Sequence, residues 1–120
     1  MTTQGHRVER VAEEIRNEVS LMLAGELKDP RLTANVTVTE VRLGTGMRTI
    51  RIFVSVDGTE EERKKTLEGL EAARGFVRHE LVDRLHMRRA PDVIFMLDQT
   101  EEIEKRINEL LHKPSSPEKP

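Results

Sequence analysis

Residues Leu67–Leu85 read LEGLEAARGFVRHELVDRL. The stretch predicts two helices joined almost without a linker, with Ala73-Arg74-Gly75 as the joint. Leu67, Leu70 and Ala73 recur at three-residue steps before it, and Val77, Leu81, Val82 and Leu85 mark a second apolar face after it. A glycine between two such faces is the least hindered point for the backbone to leave helical geometry and for another backbone to approach. The helix that opens there offers free N–H groups and the positive end of its dipole, with Arg74 and Arg78 beside them. That combination suits an anion, phosphate foremost. A kinked amphipathic helix serving only as core accounts for the same pattern.

Working outward, Arg48–Val56 alternates, with Ile50, Ile52, Val54 and Val56 on one face, and predicts a strand. Asn35–Leu43 predicts another. Val41 and Leu43 fall out of phase with Val36 and Val38, so a bulge is expected near Thr39-Glu40. Gly44-Thr45-Gly46 joins the two runs as an antiparallel hairpin. Thr59 with Glu62 then makes a capping box for the first central helix. Beyond the second central helix, which runs to about Met87, Asp92–Asp98 predicts a third strand. Its near-continuous Val93-Ile94-Phe95-Met96-Leu97 predicts burial on both faces or a central position.

At the ends, Gln4–Leu27 predicts a long amphipathic helix capped by Thr2 or Thr3 and stopped by Gly25 and Asp29-Pro30. Thr100 is expected to cap a last helix with Ile103, Ile107, Leu110 and Leu111 on one face. KPSSPEKP, 113–120, predicts a disordered tail behind one domain over 1–112. The order helix-strand-strand-helix-kink-helix-strand-helix makes an α+β domain, a three-stranded sheet with helices on one face.

The chain has 120 residues, 36% hydrophobic and 35% charged, enough for a single modest core. Its formal charge of −2 argues against a wholly basic DNA-coating protein, yet the charges are unevenly placed. Between Arg31 and Val56, Arg31, Arg42, Arg48 and Arg51 face Glu40 alone; between Arg74 and Ala90, Arg74, Arg78, Arg84, Arg88 and Arg89 face Glu80 and Asp83. That is the footprint of a sided molecule. The absence of Cys excludes thiol catalysis, disulfides and Cys-based zinc sites and fits a reducing cytoplasm. No apolar run reaches the roughly 20 residues of a membrane span, and MTTQGHRVERV lacks a signal-peptide core. With no Trp, no Tyr and three Phe, an aromatic base-stacking platform is not expected, so RNA would be held through backbone and shape.

His79, Asp83 and His86 share helical spacing, but a metal site needs a further ligand and supporting groups that the sequence does not offer. No nucleophile elbow and no Gly-rich nucleotide loop is present. The expectation is a non-enzyme without metal, cofactor or small-molecule substrate. Glu60-Glu61-Glu62 and Glu101-Glu102 sit at helix starts, where the dipole favours carboxylates. The stronger set is basic: Arg74 and Arg78 at the joint, Arg48 and Arg51 in the hairpin, Arg88-Arg89 in the last connection, and Arg7 and Arg10 in the first helix. Arginine suits phosphate because its planar fork donates two parallel hydrogen bonds. A solvated surface neutralised by Glu71, Glu80 and Asp83 fits the same residues.

Strand, helix, glycine-containing joint, helix, strand is also the core of the KH fold, whose inter-helix loop clamps a nucleic-acid backbone. The preceding helix and strand correspond to its type II arrangement. From Arg7 to Leu111 the chain resembles the ribosome-binding factor A family of bacterial small-subunit assembly factors. The resemblance rests on Arg7-Val8-Glu9-Arg10-Val11, Asp29-Pro30-Arg31-Leu32, Val36-Thr37-Val38-Thr39, Ile52-Phe53-Val54-Ser55-Val56, Gly75-Phe76-Val77-Arg78, Leu85-His86-Met87-Arg88-Arg89-Ala90-Pro91 and Phe95-Met96-Leu97-Asp98, in that order. It implies a type II KH-like fold with an Ala-x-Gly kink in place of the GXXG loop, matched here by Ala73-Arg74-Gly75. It also implies a monomer that binds 16S rRNA and the free 30S subunit, late 16S maturation including the 5′ end, and support of growth in the cold. One departure is the lack of any Tyr where the family often has an aromatic residue before the apolar run of the second strand. The rival reading is a protein-interaction module, a dimer or adaptor, using the sheet or the last helix.

Overall fold

β-Branched residues at every second position commit two segments to strands, because their branched side chains pack well on a pleated, half-buried surface. In a computed structural model, which describes residues 3–27, 29–32 and 35–112, these are β1 (Val36–Leu43) and β2 (Thr49–Val56). They pair antiparallel from Val36↔Val56 to Leu43↔Ile50, with the register shifting between Val38 and Glu40 at the expected bulge. The shift restores the phase of Val41 and Leu43, which pack against the core alongside buried Val38. Gly46 takes a φ of 66° in the hairpin turn, where glycine carries no steric cost.

β3 (Asp92–Leu97) pairs parallel to β2, giving the order β1-β2-β3. This corrects the expectation of a central or doubly buried strand: β3 lies at the edge. Val93 and Phe95 are buried, while Ile94 is half-buried and Met96 is 39% exposed. The three packed helices all lie against the other face, and an apolar run alone does not report whether a second layer exists.

Those helices are α1 (Thr3–Leu21), α2 (Glu60–Ala72) and α3 (Arg74–Leu85). α1 packs on β1 and α3; α2 and α3 pack on β3. The core joins Ile15, Val19 and Met22 to Ile50, Ile52 and Val54 of the sheet and to Leu70, Val77 and Leu81. Each buried aliphatic contributes about 1.5–3 kcal/mol by leaving water. The first helix ends as predicted, but its last turn, Met22–Glu26, widens, so that the Leu27 N–H reaches the Met22 carbonyl at 3.0 Å. α1 already includes Thr3, and the expected cap at Thr2 or Thr3 falls on residues whose side chains lie outside the description. After the helix, Asp29 accepts from the Arg31 Nε and backbone N–H at 2.9 and 2.8 Å, which holds its carboxyl down at about 2.

The turn from Asp29 to Leu32 rests on Gly69. A Cβ there would lie 3.1 Å from Leu32 Cδ2 and 3.2 Å from Arg31 Cβ. Gly69→Leu is therefore expected to push this turn off α2 and cost about 1–3 kcal/mol, the usual penalty of overpacking. Gly25→Ala, where the added methyl meets nothing within 4 Å, provides the control. Denaturant unfolding of both variants checks the contrast.

The capping box on α2 forms as predicted, with Thr59 N–H on Glu62 Oε1 at 2.7 Å and Glu62 N–H on Thr59 Oγ1 at 3.1 Å. α4 (Thr100–His112) departs from prediction twice. Thr100 lies inside it; the preceding Asp98 accepts the Thr100 N–H at 2.9 Å instead. The Asp98 carboxyl is held below the usual carboxylate range, first by the Thr39 hydroxyl at 2.6 Å and then by Thr100. The helix also lies outside the layer on the sheet. Ile103, Ile107, Leu110 and Leu111 are 55%, 48%, 68% and 72% exposed. Its start is tied to α2 by Arg63 and Glu102 at 2.9 Å. Residues 113–120, read as a tail, lie outside the described residues.

Candidate nucleic-acid interface

A single residue breaks the central helix pair. Ala73 has φ −88° and ψ 1°, its N–H is shared between the carbonyls of Gly69 and Leu70 at 3.0 and 3.1 Å, and its own carbonyl starts α3 by accepting from Val77 at 3.0 Å. This corrects the expectation that glycine makes the break. The Ala73 geometry is open to any L-residue, and Gly75 is helical without a positive φ. What Gly75 provides is space, since a Cβ on it would meet nothing within 4 Å. No side chain caps α3. Arg74 and Arg78, one turn apart and both exposed, flank this opening. Glu71 takes a share of the Arg74 charge at 3.3 Å, the partial neutralisation anticipated from sequence.

The remaining arginines fall into separate groups. Arg48 lies at the end of the sheet where β3 begins, its carbonyl accepting the Asp92 N–H at 2.8 Å, and Arg88-Arg89 precede that strand in the chain. Asp57, Glu60, Glu61 and Glu62 gather with Asp98, Glu101 and Glu102 at the opposite end, since parallel β2 and β3 both finish there. Arg51 lies on the sheet face turned away from the helices, because β2 alternates and its neighbours Ile50 and Ile52 are buried. Arg7 and Arg10 are exposed in the first half of α1. The set therefore does not share one surface. It comprises a basic joint, a basic sheet end, one arginine on the open sheet face and a pair on α1. Among the described residues, Arg7, Arg10, Arg48, Arg51, Arg78, Arg88 and Arg89 make no ion pair.

Arg84, by contrast, is spent within the fold. Its guanidinium reaches Glu18 at 2.9 Å, Glu80 at 3.0 Å and Glu26 as well, joining α3 to α1 and its widened last turn. These three carboxylates raise its pKa further above the ordinary arginine value.

Two features were missed from sequence. Phe76, beside Gly75, is 42% exposed. Arg42 lies over the Phe53 ring, 5.2 Å from its centroid, on the open face of the sheet. The spacing Glu40-x-Arg42 on a strand was the available signal, since residues two apart share a face. Among the described residues no group of three or more acidic or histidine side chains is placed to hold a metal, and no helix is long and apolar enough to cross a membrane.

Residues 7–111 match the family model for ribosome-binding factor A. The ribosome-binding factor A of Caldanaerobacter subterraneus subsp. tengcongensis is 40% identical over 111 residues, 92% of this chain and 91% of its own. The solution structure of a Thermotoga maritima protein assigned as ribosome binding factor A superposes with a TM-score of 0.66 at 35% identity, covering 75% of this chain and 85% of that one. A homology model of the Thermus thermophilus ribosome binding factor A, fitted into an electron cryo-microscopy map of its complex with 30S, gives 0.53 at 28%, covering 72% and 93%.

Proposed function

The chain belongs to the ribosome-binding factor A family, and from that premise we propose that it is a non-catalytic assembly factor binding 16S rRNA on the free 30S subunit. In this reading it acts as a cytoplasmic monomer in late 30S maturation, including processing of the 16S 5′ end, and supports growth in the cold. Residues 1–112 form the binding domain. The observation that carries the reading is the joint: uncapped N–H groups, open space over Gly75, and Arg74 and Arg78 on its flanks. A phosphate entering there meets N–H donors, a helix dipole and two guanidinium groups together. Ala73 sets the angle, Gly75 admits the RNA backbone, and Arg48, Arg51, Arg88, Arg89, Arg7 and Arg10 extend the contact. No bond is made or broken by the protein.

Co-sedimentation with purified small subunits and with whole ribosomes tests this reading. Binding to small subunits alone is expected. It should weaken steeply as salt rises, with a log–log slope near 0.7–0.9 per phosphate neutralised, because each contact releases condensed counterions. The dimer or adaptor reading has the exposed apolar stripe of α4 in its favour. It requires salt-tolerant self-association and no affinity for the subunit, and that outcome would replace the first reading.

A further inference from the structure

The open face of the sheet holds Glu40 and Arg42 of β1, Arg51 and Phe53 of β2, and Ile94 and Met96 of β3. In the register, Arg42 stands directly opposite Arg51 and Glu40 opposite Phe53. Like charges placed opposite one another on a sheet are unfavourable, and here the conflict is resolved in one direction. Arg42 turns back along its own strand. Its Nε donates to Glu40 Oε2 at 2.7 Å, with a second, longer bond to Oε1 at 3.4 Å. The guanidinium thereby comes to lie over the Phe53 ring at 5.2 Å. Glu40 grips one edge of the cation beside the ring, and the Arg42 side chain remains 63% exposed. Arg51 is exposed across the strand and makes no ion pair among the described residues.

We propose that Arg42, laid over Phe53 and held by Glu40, is a stacking platform for an unpaired RNA base, with Arg51 taking the neighbouring phosphate. The proposal rests on the RNA-binding reading above and deepens it. A guanidinium fixed at its edge by a carboxylate loses less freedom when a base covers it. Nucleobases stack on arginine planes as well as on aromatic rings, so the platform supplies what a chain without Trp or Tyr otherwise lacks. Met96, opposite Phe53 in the register and partly exposed, extends the apolar floor beside it. The ligand class is single-stranded RNA, because bases inside a duplex offer no free face. Little base identity is read, since every base has a π-face.

The test uses the whole protein and two labelled probes of equal length, an oligoadenylate of about ten nucleotides and an abasic ribose-phosphate strand. Wild type should prefer the oligoadenylate by at least about 5-fold, the lower bound for one stacked base. Arg42→Lys keeps the charge and removes the plane, and it should bring the preference to within about 2-fold. A wild-type protein that binds the probes equally, or binds neither, overturns the platform, as does a lysine variant that keeps the full preference. Co-sedimentation with small subunits separates the two failures. If wild type still sediments with them, the platform alone falls; if it does not, the RNA-binding reading falls with it.

Discussion

Arg74→Glu combined with Arg78→Glu is expected to lower affinity for the small subunit at least about 100-fold, since two charge-assisted phosphate contacts are lost and two repulsions replace them. The log–log salt slope should fall by about 2 units at the same time. The melting temperature should move by no more than about 2 °C. Arg74 and Glu71 are both half-exposed, and such surface pairs contribute about 0–1 kcal/mol. Arg78 has no ion-pair partner among the described residues. A glutamate at the first position of α3 also interacts favourably with the helix dipole, which offsets the lost pair. Thermal melts and co-sedimentation on one protein preparation check both halves. A variant that unfolds would show these arginines to be structural, and one that still sediments with the subunit would remove the joint from the interface.

Much of the fold was legible because it follows from local periodicity. The alternation in Arg48–Val56, the phase slip after Val38 and the Thr59–Glu62 box each depend on residues a few positions apart, and each forms. The misreadings concern what lies across space. Asp92–Leu97 is as apolar as a central strand but sits at the edge, because nothing within it tells whether helices cover one face or two. The stripe on α4 is as regular as that of a packed helix, yet it remains exposed. At the joint, Ala-Arg-Gly was read correctly as a break but assigned to the wrong residue. Glycine permits unusual backbone geometry, and it also permits approach; Gly75 is helical, so the first property is not used, and the space over it is open. The basic residues were identifiable by type, whereas their division between joint, sheet end and open face depends on strand pairing. Arg42 shows this most directly. Its opposition to Arg51 follows from the bulge at Thr39, which shifts β1 by one residue against β2.

Arg84 provides the converse of the joint arginines. It is six residues, about 1.7 turns, from Arg78 on the same helix, and residue type alone gives both the same role. Its side chain, however, is 25% exposed and surrounded by Glu18, Glu26 and Glu80. Arg84→Glu would place four carboxylates together at the seam of α1 and α3, with the Tm at neutral pH expected to fall on the order of 10 °C. Arg84→Met removes the cation without adding an anion and should fall by less. The pH dependence separates electrostatic from packing causes. In the glutamate variant, mutual repulsion raises the folded-state pKa values of the cluster above their unfolded values, so protonation favours the folded state. The deficit is then full at pH 7 and shrinks as pH falls toward 5. Melting curves of wild type and variant at pH 7 and pH 5 would show the gap narrowing. A gap that stays constant would mean the cost is steric. Subunit binding by the folded fraction should be retained, because this guanidinium is committed to three carboxylates of its own chain, whereas Arg78, on the same helix, remains available to phosphate.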